Sequence, residues 1–143
     1  MSRCGYTDDY EYPQLCEQWV SRATWGKRGQ AMLRKLKQAL EELPQKRLIA
    51  DEFKTEQGEY CAIATLLEKE GKIQELQAQE YSDDDADQYE ANEYVAGLLN
   101  VSPVLIRQIE FENDEMCICK TPEERYQYML HWVNRNLYKE EVA

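Results

Sequence analysis

The chain has 143 residues, 43% of them hydrophobic and 31% charged, and a net charge of −11. That length and balance fit one globular domain and exclude a disordered chain. So acidic a chain is short of the Lys and Arg that phosphate contacts need, so direct binding of nucleic acid is not expected, and no apolar run approaches the roughly 20 residues of a membrane helix.

Residues 1–12 are polar and rich in tyrosine (Tyr6, Tyr10, Tyr12) and read as an extended arm. Residues 13–143 read as a single, mainly α domain of five to six helices, with a small β-hairpin expected near residues 47–61. Pro13 suits a first helical position. Leu15, Cys16, Trp19, Val20 and Ala23 then recur at helical spacing. Gly26 ends that helix, and Gly29 marks a tight connection. A second helix is predicted from about Gln30 to Leu43, where Met32, Leu33, Leu36, Ala39, Leu40 and Leu43 form an apolar stripe. Pro44 stops it.

From Arg47 to Phe53 the period shortens towards a strand. Thr55–Gly58 reads as a turn returning through Glu59, Tyr60 and Cys61. The apolar run from Ala62 to Leu67 predicts a buried helix ending near Gly71. Residues 74–86 read as an acidic loop, and helical spacing resumes from Tyr89 to Leu99. Ser102 is a good N-cap with Pro103 behind it. Asn113-Asp114-Glu115 breaks the helix that follows. Thr121-Pro122-Glu123-Glu124 has the form of a capping box and opens the last helix, whose apolar face is Tyr126, Met129, Leu130, Trp132, Val133 and Leu137.

Charge is divided unevenly. The first fifty residues hold nine Lys/Arg against six Asp/Glu, and the remainder hold eight against twenty-two. No basic residue lies between Lys72 and Arg107. Asp83, Asp84, Asp85, Asp87, Glu90, Glu93, Glu110 and Glu112 are therefore candidates for an acidic face that meets a basic partner in place of phosphates. The plainer reading is a surface that only confers solubility. Lys27, Arg28, Arg34, Lys35 and Lys37 form the opposite candidate, a basic patch that either binds an anion or is the solvated face of one helix.

Other chemistry is weakly supported. Val95 to Ile109 has helix-turn-helix spacing, but its second helix carries Arg107 and Gln108 followed by Glu110 and Glu112, a poor set for phosphate. Cys117-x-Cys119 lacks the second thiol pair usual in a structural zinc site. Asp83, Asp85 and Asp87 alternate as in a calcium loop, but Gln88 and Tyr94 stand where that loop needs glycine and glutamate. One histidine, His131, leaves a Cys61–His131 pair as the only nucleophile arrangement to weigh. No phosphate-binding glycine motif is present. No cofactor or metal is expected, and the chain does not read as an enzyme. The five cysteines are expected as free thiols in a cytoplasmic protein.

Several blocks carry a resemblance. Gly26-Lys27-Arg28-Gly29-Gln30, Leu43-Pro44-Gln45-Lys46-Arg47-Leu48-Ile49, Cys61-Ala62-Ile63-Ala64, Asn113-Asp114-Glu115 and Thr121-Pro122-Glu123-Glu124-Arg125-Tyr126 resemble, in that order, a family of small uncharacterised phage and prophage proteins. The opening from Ser2 to Asp9 is also similar. Ala64 departs from the family, which favours glycine there. The resemblance transfers no catalytic residue. It implies a phage origin and action in the host cytoplasm. By analogy it implies an acidic, anti-CRISPR-like inhibitor whose partner is the basic groove of a host nucleic-acid-binding protein. A helix-turn-helix DNA-binding regulator and a small enzyme are the alternatives.

Overall fold

Two helix starts written in the sequence are present with their caps. The computed structural model describes residues 13–77, 85–116 and 119–138, with the side chains of 18–75, 91–116 and 119–138. The helices are α1 (Pro13–Trp25), α2 (Lys27–Glu41), α3 (Ala62–Lys69), α4 (Ile73–Gln77), α5 (Asp85–Leu99), α6 (Pro103–Phe111) and α7 (Pro122–Arg135). A π-helical turn, Glu112–Met116, extends α6. At α7 the Thr121 hydroxyl accepts from the Glu124 amide at 3.1 Å. The Glu124 carboxylate reaches back to the Lys120 amide at 2.9 Å, one residue before the cap. At α6 the Ser102 hydroxyl accepts from the Val104 amide at 3.3 Å, with Pro103 at the first position.

Helix α2 begins three residues before the predicted Gln30, and only Gly26 separates it from α1. Gly29 is therefore inside α2 and not in a connection. It lies where α2 crosses the end of α1, and a Cβ there would stand 1.9 Å from the Ala23 carbonyl oxygen. Only glycine allows that approach.

The predicted hairpin reduces to one bridge, Lys54 to Tyr60. Asp51 adopts a φ of 69°, which interrupts any strand from Arg47 to Phe53. The segment is tied down singly instead: Leu48 donates to the Pro122 carbonyl and Ile49 to the Tyr60 carbonyl. Part of the predicted acidic loop is helical, since α4 starts at Ile73 and α5 at Asp85, before the expected Tyr89. Aspartates in a first helical turn suit the positive end of the helix dipole. The expected arm, residues 1–12, lies outside the described residues.

Helix α2 packs on α1, α3 and α7, and α6 packs on α1, α3 and α5. Leu33, Leu36, Leu40, Ile63, Leu66, Leu105, Ile106, Ile109 and Met129 meet in one core, each fully buried. At roughly 1.5–3 kcal/mol per buried aliphatic side chain, this packing outweighs the weak intrinsic propensity of a helix as short as α3. Cys61 is fully buried and caps α3, its sulfur accepting from the Ala64 amide at 3.5 Å. Cys119 is disulfide-bonded, which corrects the expectation of five free thiols. Among the described residues, no helix is long and apolar enough to cross a membrane.

Candidate functional site

The acidic candidates separate into two groups. Asp85, Asp87, Glu90 and Glu93 ride on α5. Glu93 is exposed, the side chains of the other three lie outside the described set, and Asp83 and Asp84 lie outside the described residues. Glu110 and Glu112 are not surface groups, which corrects the expectation of a single acidic face: they are 0% and 8% exposed. The α6 spacing explains this, because Glu110 lies four residues after Ile106 on the buried face and Glu112 starts the π-helical turn.

That turn is a polar junction the sequence reading passed over as a helix break. The Tyr128 hydroxyl donates to Glu112, and the Gln108 amide donates to the other carboxylate oxygen at 3.0 Å. Burial, reinforced by the bond to Glu112, pushes the Tyr128 phenol up to about 12. Asn113, 1% exposed, accepts from the Ala62 amide at 3.3 Å and donates to the Ile49 carbonyl at 2.9 Å. Its own carbonyl accepts from Arg125 Nε at 2.8 Å. Asp114 accepts from the Asp51 amide at 3.0 Å, which holds the left-handed Asp51 in place. The bonds to Ile49, Asp51 and Ala62 fasten the 48–62 segment to the end of α6, and those from Arg125 and Tyr128 tie α7 to the same turn. An inward amide within an otherwise polar Asn-Asp-Glu run was the available signal.

The helix-turn-helix corner is present as geometry. Helix α5 turns at Asn100, φ 56°, into the Ser102 cap of α6. A major-groove reader needs one open face on its second helix. Every residue of α6 is buried or half-buried, including Arg107 and Gln108. Nor does the structure pair Cys61 with His131, since Cys61 is fully buried at the start of α3 and His131 is exposed on α7. Among the described residues, no three His, Cys, Asp or Glu side chains converge as metal ligands.

The basic candidates come together in part. One wall of a cleft of ≈ 230 Å³ is α2, through Lys27, Arg28, Ala31, Met32 and Lys35. Leu66, Glu70 and Lys72 come from α3 and the turn behind it, and Leu99 and Asn100 close the far side. Left-handed Gly71, φ 72°, swings Lys72 back towards α5, where its ammonium donates to the Leu98 carbonyl at 2.7 Å. Arg28 donates to the Asn100 side-chain oxygen at 3.4 Å. Lys27 and Lys35 are exposed, and neither makes an ion pair with a described residue. Lys72 was not among the predicted basic residues, because only the Gly71 turn brings it to α2. Arg34 is exposed outside the cleft, and Lys37 faces Glu41 at 4.0 Å.

Comparison with family models, with curated proteins and with solved structures finds no match for this chain.

Proposed function

We propose that this protein acts by stoichiometric binding, presenting its acidic segment 83–93 to the basic groove of a nucleic-acid-handling protein. The observation that carries this reading is the charge of that segment: six acids in eleven residues, set in a stretch without a basic side chain from Lys72 to Arg107. Asp85, Asp87, Glu90 and Glu93 lie on one helix, α5. Such a helix competes for Lys and Arg that otherwise hold phosphates. Glu93, exposed near its middle, belongs to this surface. Buried Glu110 and Glu112 do not, and the proposed contact set shrinks to Asp83, Asp84, Asp85, Asp87, Glu90 and Glu93. The resemblance to phage proteins supports a host defence complex as the setting, with anti-CRISPR-like inhibition as the consequence. The enclosure of α6 weighs against the helix-turn-helix alternative.

The test is capture from host lysate with tagged protein, washed in rising salt, followed by direct binding to the recovered partner. Reversal of Asp84, Asp87, Glu90 and Glu93 to lysine abolishes binding if the segment docks as proposed. Unchanged affinity and unchanged salt dependence overturn it.

A further inference from the structure

We infer that the cleft between α2 and the end of α5 binds a small phosphate-bearing ligand, with Lys27, Arg28, Lys35 and Lys72 holding the phosphate and an apolar floor receiving its organic part. This inference is independent of the acidic segment.

Four cations border one cleft in a chain of net charge −11, and among the described residues Glu70 is the one acid on its walls. In so acidic a protein an unused cation is most simply neutralised by a neighbouring carboxylate. Some of its cations are neutralised in this way: Arg47 meets Glu59 and Glu123, and Lys69 meets Glu42. The cations of the cleft differ. Lys72 bonds a carbonyl and Arg28 an amide oxygen, and neither makes an ion pair with a described residue. Arg28 keeps further donors in its planar fork, a shape suited to phosphate oxygens.

The backbone adds to this field. Helix α2 runs fifteen residues and starts at Lys27, and Gly26 provides no side-chain cap. Its first-turn amides and the positive end of its dipole stand beside the same two basic residues. Within the Gly26–Gln30 block, Gly29 is required by the α1 crossing and Gln30 is buried by its hydrogen bonds. Lys27 and Arg28 have no comparable packing duty. Met32, Leu66 and Leu99 supply the apolar floor. The volume, ≈ 230 Å³, is smaller than the roughly 300–1,000 Å³ of sites that enclose drug-sized ligands, so the ligand is held at one end only.

The test is a titration followed by amide chemical shifts, at low ionic strength, with pyrophosphate, ADP and a synthetic peptide of residues 79–93. Saturable shifts with ADP at residues 27–35, 72 and 100, tighter than with pyrophosphate, are expected. Lys27→Glu with Lys35→Glu, both on exposed positions, should weaken ADP binding at least about tenfold, and Arg34→Glu on the same helix less than about twofold. A loss from Arg34→Glu as large as that from the double variant would mean diffuse attraction and overturn the site. Absence of saturation with ADP overturns it, as does saturation by the acidic peptide alone, which would assign the cleft to a second copy of the chain. Pyrophosphate binding as tightly as ADP removes the role given to the apolar floor.

Discussion

Gly29 stands against Ala23 so closely that a Cβ would lie 1.9 Å from the Ala23 carbonyl oxygen and 2.9 Å from that of Thr24. The contact is with backbone, which cannot rotate aside. Gly29→Ala gains helix propensity in α2 but forces α1 and α2 apart. A net destabilisation of about 1–3 kcal/mol is expected, read from the urea midpoint. An unchanged or raised midpoint would contradict the α1–α2 crossing described above.

Asn113 joins three parts of the chain through its side chain and its carbonyl. Asn113→Ala leaves the Ala62 amide and the Ile49 carbonyl without their partner in a buried setting. The expected cost is about 1–3 kcal/mol for each buried group left unsatisfied. Amide exchange at Ala62 should quicken more than exchange in the middle of α2. Uniform loss of protection across the chain would point to a global effect and not to this junction.

Tyr128 gives a pH signature. Its phenol ionises near 12 in the folded protein, against 10.0 for the unperturbed group, because burial and the bond to Glu112 favour the protonated form. Between these values the folded chain binds more protons than the unfolded one. Stability from this group is therefore complete below about pH 10 and falls as pH rises towards 12. In Tyr128→Phe the decline over that window should be shallower than in the parent, measured by denaturant melts at stepped pH. The same steepness in both would remove Tyr128 as the cause.

Thr121 is the cap of α7, and its hydroxyl has no other described role. Thr121→Ala should cost about 1 kcal/mol, and Thr121→Ser should recover most of it. A Ser variant as unstable as the Ala variant would show that the hydroxyl bond is not what holds the helix start.

Local chemistry decided a large part of this molecule. The α6 and α7 starts follow from Ser102-Pro103 and Thr121-Pro122, because a cap needs only residues within one turn of itself. The apolar stripe of α2 follows from spacing, because helix period alone puts Leu33, Leu36 and Leu40 on one side. The total charge and its uneven distribution also belong to the sequence, since they do not depend on folding.

What required the tertiary structure is every pairing across the chain. Gly29 looked like a turn residue until α1 was laid across it. Arg47 to Phe53 has strand composition, yet Asp114 holds Asp51 in a left-handed turn from sixty-three residues away. Glu110 and Glu112 counted as surface charge until α6 was enclosed on its several sides. Lys72 joined Lys27, Arg28 and Lys35 only through the Gly71 turn. Gln30 reaches Asn136 and Tyr138 over more than a hundred residues, fastening the residues just after α7 to α1 and α2. Periodicity reports which face of an element is apolar, but a polar side chain's partner is chosen by whichever distant segment the packed core brings within hydrogen-bonding reach.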